Sequence, residues 1–305
     1  MLTDPFVTTG KNLKKVLSDK QEVERTLGQL KQAPDAIFIG HSHIDHLLDV
    51  HTAMLELPNW QNVPLFGSLT TQNILKGHKN TDLDKRVNIV DTKQPGQWKS
   101  IPISNQKRNK GYSIEYMALE TAHTPHFSFD LKFFGIEKAF DHTFLDRKIE
   151  EPLKHLPRKL TDYPSGEVYN FLFKLKHNDT EFIVLMLGSP MPLADYPDSL
   201  PPGDIPIDVV IGLAASADNV EDYPKKQIAR LKPRVVILSH FNNFLNKDED
   251  EILHILHKPV VDIKQYLLDV QKIATYPNFE KILVPAITEF ENDSIKNVVI
   301  VKPKK

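Results

Sequence analysis

Two features of this 305-residue sequence predict an α/β fold. Short runs rich in Val, Ile and Leu, typical of buried strands, alternate along the chain with amphipathic runs at helical spacing. The succession "DIPIDVVIGLAA", "DYPKKQIARLK" and "RVVILSH" is then interpreted as strand, helix and strand. Because a helix between two strands carries the chain back along the sheet, this order favours parallel strands and the α/β class.

The individual elements follow from local patterns, taken in chain order. "MLTDPF" predicts a strand that ends in an Asp-Pro turn, and residues 12–31 place leucines and valines at helical spacing. Apolar runs predict further strands in "DAIFIG", "VPLFGS" and "KILVPAI", and "LTTQNILKG" predicts a helix. "VYNFLFKLKH" and "TEFIVLMLGS", separated by a polar turn, predict a β-hairpin.

One domain over residues 1–305 is expected, because the chain shows neither an internal repeat nor a low-complexity linker. Residues 127–166 differ from the rest, since they are Phe-rich, irregular and closed by Pro and Gly. We interpret them as an inserted segment. Such a segment is either a small packed subdomain or a lid over a site, and both alternatives stay open at this point.

Composition narrows the classes of function. The net charge of -2 and the lack of a basic stripe argue against a nucleic-acid partner. With no cysteine in the chain, any metal must be held by His, Asp or Glu. No apolar run is long enough for a transmembrane segment, and the first residues lack a signal-peptide pattern, so the default expectation is a soluble, cytoplasmic protein. A small-molecule or lipid-like substrate is expected, and the oligomeric state is unknown.

The segment "HSHIDH" concentrates three histidines and one aspartate within residues 41–46. It follows a predicted strand that ends in Gly, and it precedes a predicted helix. His41 and His43 can point at the same place while the chain is still extended, and Asp45 and His46 follow as the chain turns into the helix. Imidazole nitrogens and a carboxylate on one turn suit a borderline divalent ion such as zinc.

The order strand, "HSHIDH", helix resembles the metal motif of the metallo-β-lactamase fold superfamily. Further segments match in the expected order: "LETAHTPH" is similar to the segment of the next ligand, and "RVVILSHFNNF" to the late strand and loop of the last ligand. "MLTDPF" resembles the Asp-Pro turn of the phospholipase D-like and lactonase-like branches. The resemblance implies an αββα four-layer sandwich, in which two mixed sheets face each other between outer helices.

Carried over residue by residue, the resemblance implies one or two zinc ions or other divalent metals. His41, His43 and His123 would hold one ion, and the second would be held by Asp45, His46 and His240. Asp45 would also act in catalysis by orienting the attacking water. The implied activity is hydrolysis of an ester-like bond by metal-activated water. The implied substrates are phosphodiester or phospholipid-type molecules, slightly ahead of lactones.

One expected ligand departs from the family pattern, because Ser189 stands in "IVLMLGSP" where the superfamily usually has a bridging Asp. A neutral hydroxyl is a poor ligand for two dications, so affinity at the second site should fall. Three interpretations remain open. The site holds a single metal, a nearby carboxylate such as Asp195 or Asp198 takes the place of the missing ligand, or the protein has lost hydrolysis and kept only binding.

Two further expectations complete the sequence analysis. His126, three residues after His123, would contact substrate or hydrogen-bond to a ligand, and Ser189 could do the same.

The superfamily usually has strands before the Asp-Pro turn, so either a neighbouring strand substitutes or the chain as given lacks its natural beginning. The alternatives to a hydrolase of esters are a non-catalytic metal-binding or ligand-binding member, or a nuclease of the same superfamily.

Overall fold

The structure is a computed structural model of the chain. It describes residues 1–8, 15–30, 32–79, 83–90, 92, 97–124, 145–190, 201, 205–215, 217–247, 253–255, 261–285, 290–291, 294–295 and 298–301. The chain groups into two compact units, each with its own core, and each is described by itself. The expectation of one domain over 1–305 stays a prediction.

Six α-helices and sixteen strands lie in the described part of the chain. The helices are α1 Lys20–Thr26, α2 Ile44–Glu56, α3 Leu69–Lys76, α4 Asn105–Asn109, α5 Lys225–Leu231 and α6 Ile263–Ile273. The strands are β1 Leu2–Thr3, β2 Ile37–Phe38, β3 Leu65–Gly67, β4 Val87–Ile89, β5 Lys99–Ser100, β6 Tyr112–Thr121, β7 Val168–His177, β8 Thr180–Met186, β9 Val209–Leu213, β10 Val235–Ser239, β11 Asn242–Lys247, β12 Leu253–Ile255, β13 Lys281–Pro285, β14 Phe290–Glu291, β15 Ser294–Ile295 and β16 Val298–Val301.

The first unit comprises Met1–Asp91, His126–Val168 and Phe244–Ile252. Its sheet has the order β1-β2-β3-β4, and its three strand pairings are parallel. Strand β2 is apolar and buried on both faces, as expected of a strand inside a parallel sheet. Helix α2 packs Leu47, Val50 and Met54 into the core of this unit. The carboxyl end of β2 therefore leads directly into a helix whose position is fixed by packing.

The second unit comprises Thr92–Pro125, Tyr169–Asn243 and Leu253–Lys305. Its eight-stranded sheet has the order β16-β13-β10-β9-β8-β7-β6-β5 and is mixed. Strands β8, β9, β10 and β13 are parallel neighbours, whereas β7 and β8 form an antiparallel hairpin. This hairpin and the strand–helix–strand order of β9, α5 and β10 confirm two sequence predictions. Two small two-stranded sheets, β11-β12 and β14-β15, accompany these two larger ones. The described part of the protein is thus mixed α/β, and of its two larger sheets one is parallel and one is mixed.

The helix expected over residues 12–31 is shorter in the structure. Helix α1 spans Lys20–Thr26, and residues 9–14 and 31 lie outside the described residues. Asp19 determines where the helix begins, because its side chain accepts a hydrogen bond from the backbone N–H of Glu22. Leucine periodicity alone does not reveal such a cap, so the prediction placed the start too early.

Residues 145–166, the described end of the expected insertion, belong to the core of the first unit. Ile149 and Tyr163 are buried in the same apolar cluster as helix α2. The side-chain amide of Asn73 in helix α3 donates to the carbonyl of Ile149 at 2.8 Å, and the backbone carbonyl of Asn73 accepts the N–H of Leu153 at 3.0 Å. This part of the segment is a packed structural element, whereas residues 127–144 of the expected lid lie outside the described residues.

Among the described helices, not one combines the length and the apolar character needed to cross a bilayer.

Candidate metal centre

The "HSHIDH" motif lies where strand β2 ends and helix α2 begins, as the sequence predicts. His41 is buried, and His43 is the N-cap of the helix, with extended backbone angles of φ -61° and ψ 159°. Asp45 stands in the first helical turn, where the helix dipole favours a negative charge. The chain thus changes from strand to helix within the motif, and its four titratable side chains stay close together in the sequence.

His41 and His43 approach each other closely. The Nε2 atom of His41 lies 3.0 Å from the Nδ1 atom of His43. Nitrogen ligands at 2.0–2.1 Å from a tetrahedral zinc ion are about 3.3 Å apart, so this spacing is close to that of two ligands on one ion. The other ring nitrogen of His43, Nε2, lies 3.2 Å from the carbonyl oxygen of Leu145. Because a carbonyl only accepts, Nε2 carries the proton, and the lone pair of the neutral ring is on Nδ1.

His46 lies between two carboxylates. Its Nδ1 atom is 3.0 Å from Asp4 Oδ2, and its Nε2 atom is 3.6 Å from Asp45 Oδ2. Burial disfavours the imidazolium and lowers the pKa of His46, but the negative charges of Asp4 and Asp45 outweigh burial, and the pKa rises from 6.5 to about 9. The same two negative charges favour any cation in this position.

Asp4 is the site residue that the sequence analysis missed. It was interpreted only as part of a turn after β1, yet its Oδ1 atom accepts the N–H of Gly40 at 2.7 Å while Oδ2 faces His46. A carboxylate beside one ring nitrogen of a ligating histidine directs the other nitrogen to the metal. The Asp-Pro turn was the available signal, because it places a carboxylate at the end of a strand that pairs in parallel with β2.

The other two predicted histidines follow strands of the second unit. His123 comes two residues after β6, and its Nδ1 atom lies 2.6 Å from the carbonyl oxygen of Thr124, which leaves the lone pair of the neutral ring on Nε2. His240 comes directly after β10. Its φ of +53° is uncommon for a residue with a side chain, and its carbonyl accepts the N–H of Ala215 at 3.0 Å.

The predicted ligands form two groups of three donors, and within each group the ligand atoms lie within 4.8 Å of one another. The groups are His41, His43 and His123, and Asp45, His46 and His240. Both sets are suited to a metal ion, because imidazole nitrogens and a carboxylate are ordinary ligands of borderline divalent ions. The geometry fits zinc without identifying the ion.

Ser189 is buried and hydrogen-bonded to the segment that carries His123. Its Oγ atom accepts the N–H of Thr124 at 2.8 Å and lies 2.8 Å from the Thr124 hydroxyl. That hydroxyl donates in turn to the carbonyl of Pro190. Ser189 therefore hydrogen-bonds to the residue that follows His123, and its role at the site stays a prediction.

Three residues named by the sequence analysis lie outside the described residues: His126, Asp195 and Asp198. The substrate-binding role of His126 stays a prediction, and so does the replacement of the missing ligand by one of the two aspartates.

His51 and His78 form a stacked pair outside the motif. Their ring centroids are 3.8 Å apart, and both side chains are half-buried. Burial and the neighbouring His51 lower the pKa of His78 from 6.5 to about 3. Burial also lowers the pKa of His51, and the charge of Glu56 opposes this change.

The stacked pair predicts a pH dependence of stability. Between pH 6.5 and 3 the unfolded chain protonates His78 while the folded chain does not, so the stabilisation present above pH 6.5 is lost as the pH falls. Urea denaturation at a series of pH values should show the free energy of unfolding declining below pH 6.5. The decline should be shallower in His78→Gln and unchanged in His177→Gln, which alters an exposed histidine. Equal slopes in all three proteins would contradict the assignment.

Comparisons with protein-family models, with curated proteins and with solved structures found no match. The class of site is therefore defined by the two groups of donors, whose side chains could hold a divalent metal ion.

Proposed function

We propose that this protein is a metal-dependent hydrolase of the metallo-β-lactamase fold class, with the αββα four-layer sandwich of that class. The observation that carries the proposal is the pair of three-donor groups formed by the six residues that the resemblance selects. The His41–His43 spacing of 3.0 Å and the two carboxylates around His46 support it independently of the resemblance.

Each side chain has a role in this proposal. His41, His43 and His123 hold the first ion, and Asp45, His46 and His240 are the ligands available to a second. A divalent ion in this site lowers the pKa of water and polarises the bond to be cleaved. Asp45 accepts a hydrogen bond from the attacking water and so orients it. Asp4 fixes the ring of His46 through its contact with Nδ1.

The proposed substrates are esters, with phosphodiesters and phospholipid-like molecules ahead of lactones. The Asp-Pro turn and the late "LSHFNNF" segment support this order, since both resemble the phospholipase D-like branch. Because the ion held by these ligands would activate water as the attacking group, a side-chain nucleophile is not required.

Metal analysis combined with a substrate panel tests the function. We expect the purified protein to contain zinc or another divalent metal, measured by inductively coupled plasma mass spectrometry. It should hydrolyse at least one of a chromogenic phosphodiester, a chromogenic carboxylic ester or a lactone. Chelation should remove the activity, and Zn²⁺, Mn²⁺ or Co²⁺ should restore it. A protein that binds metal but shows no turnover with any metal and any of these substrates would contradict the hydrolase.

A non-catalytic metal-binding protein is the second candidate, and the observation that favours it is the engagement of Ser189 with Thr124. In this alternative the serine stabilises the loop and does not replace the bridging carboxylate that hydrolysis with two metals needs. Metal bound without turnover would favour it over the hydrolase.

The change Ser189→Asp should raise the number of metal ions bound per chain. A carboxylate at this position supplies the negative charge that a hydroxyl lacks, and so it should strengthen the second site. Equilibrium dialysis with Zn²⁺ measures the number, and Ser189→Asn, similar in size and neutral, is the control that should leave it unchanged. An equal number of ions in both variants and in the wild type would show that residue 189 does not limit the second site.

A further inference from the structure

The carbonyl oxygen of Leu145, a residue outside the motif, contacts the Nε2 atom of His43. It accepts from Nε2 at 3.2 Å and also from the N–H of Ser165 at 2.6 Å. Both residues lie at the ends of the described segment 145–166, and Leu145 is buried. The tautomer of His43 is thus set by a backbone group about one hundred residues further along the chain.

The same segment holds the residue between His41 and His43. The N–H of Ser42 donates to the carbonyl oxygen of Ser165 at 2.8 Å. The Ser42 hydroxyl lies 2.8 Å from the hydroxyl of Thr71 on helix α3, and Ser42 is fully buried. The backbone of Ser42 is therefore held by the segment 145–166, and its side chain is held by helix α3.

Helix α3 in turn anchors the segment. The hydroxyl of Thr70 accepts the N–H of Ile149 at 3.1 Å, and the N–H of Gly166 donates to the carbonyl of Arg147 at 3.3 Å. Gly166 has a φ of +64°, and a Cβ atom there would lie closer to Thr70 than the 3.0 Å that real side chains keep. Only glycine combines this backbone conformation with this close approach.

We propose that residues 145–166 act as a clamp that positions His43 for metal binding, by way of the Leu145 carbonyl. This inference rests on the proposed metal site and adds to it a role for the end of the insertion. Leu145 keeps the proton of His43 on Nε2, so Nδ1 presents its lone pair toward the ion. Gly166 allows the clamp to close against helix α3, which keeps the Leu145 and Ser165 carbonyls in place.

The test compares Gly166→Ala with Gly111→Ala. Gly111 also has a positive φ, of +78°, and a Cβ atom there would overlap Asn178, but this turn belongs to the second unit and holds no candidate ligand. Both variants strain a glycine turn, and only the first displaces the clamp. Titration with Co²⁺, followed by the visible absorption of the bound ion, measures the affinity. ¹⁵N NMR of the histidine rings in the metal-free protein reports the tautomer of His43.

In the wild type and in Gly111→Ala, His43 should be protonated on Nε2, and the Co²⁺ affinity should be the same. In Gly166→Ala the Nδ1-protonated form should appear, and the affinity should fall about 10-fold to 100-fold. If Gly166→Ala does not fold, Thr70→Val provides the milder change, since it removes the hydroxyl that holds Ile149. It should weaken Co²⁺ binding in the same direction.

Three results would overturn the clamp: an Nδ1-protonated His43 in the wild type, an unchanged Co²⁺ affinity in folded Gly166→Ala, or an unchanged affinity in Thr70→Val where the glycine variant fails to fold. None of these measurements depends on hydrolysis. If the wild type binds Co²⁺ but cleaves no ester, the proposed function is contradicted and the proposed clamp is not. If the wild type binds no metal, both proposals are contradicted.

Discussion

Asp45→Ala is expected to lower the rate of ester hydrolysis by about 10³-fold, the largest loss of activity among the substitutions proposed for this chain. Asp45 is the single carboxylate in the group formed with His46 and His240. Its removal leaves two imidazoles to hold a dication without a compensating negative charge. It also removes the group that orients the attacking water. Both losses act on the same step, so they should not be additive.

The measurement is kcat/KM for the best substrate of the panel, with metal content determined on the same samples. Asp45→Asn keeps the shape of the side chain and removes its charge, so it should lose nearly as much activity as the alanine variant. Glu22→Gln neutralises an acidic residue in the first turn of another helix and should leave the rate unchanged. Activity retained within tenfold in both Asp45 variants would exclude a catalytic role for this carboxylate.

Metal stoichiometry should separate the two parts of the Asp45 effect. The first group of donors, His41, His43 and His123, does not include Asp45. We therefore expect Asp45→Ala to retain the metal bound there and to lose only the weaker second ion. A complete loss of metal would show that the two groups do not bind independently, and the lower rate would then reflect an empty site.

The sequence predicted those parts of the site whose residues are neighbours in the chain. Strand, turn and helix around residues 41–46 follow from local patterns, and the structure places them as predicted. The positions of His123 and His240 came from the resemblance, since nothing in local periodicity connects them with His41. The contact of Asp4 with His46 was missed because strand pairing, and not sequence proximity, brings the two together.

The contacts of Leu145 and Ser165 with the motif could not be predicted from the sequence for a different reason. Aromatic composition identified residues 127–166 as an insertion, but composition does not say which backbone carbonyls face a buried histidine. That information depends on the hydrogen bonds of Leu145 and Ser165, which join parts of the chain that are far apart in sequence. Backbone groups carry no sequence signal, so their role in positioning ligands appears only in a structure.

Asp49 illustrates the same principle for stability, and its replacement is the second large expected effect. On the helical pattern it is one polar residue of an amphipathic helix, yet its side chain is fully buried. Its Oδ2 atom accepts the N–H groups of Val7 and Thr8, each at 2.7 Å. Its Oδ1 atom accepts the hydroxyls of Thr8 and Ser18, each at 2.6 Å. One carboxylate therefore fastens the start of the chain to helix α2.

Asp49→Ala should lower the free energy of unfolding by about 3 kcal/mol, because two N–H groups and two hydroxyls at a largely buried site lose their acceptor together. Asp49→Asn should cost less, about 1 kcal/mol. Its amide oxygen can still accept the two N–H groups, and its NH₂ group can donate to hydroxyls that are free to rotate. Burial raises the pKa of Asp49, although the hydrogen bonds from Ser18, Thr8 and Val7 lower it. Because burial disfavours the charged form, loss of the charge alone should be tolerated.

Urea denaturation monitored by circular dichroism measures both variants. Thr8→Val removes one of the four hydrogen bonds to Asp49 and also the acceptor of the Asp19 N–H, so it should destabilise at least as much as the asparagine variant. An asparagine variant as unstable as the alanine variant would show that the charge of Asp49, not its acceptor geometry, holds residues 7 and 8 against helix α2.

Because Val7 and Thr8 follow Asp4 closely in the chain, Asp49→Ala should also weaken Co²⁺ binding at the second group of donors, where Asp4 contacts His46. That loss of affinity would connect the burial of Asp49 with the electrostatics of the metal centre.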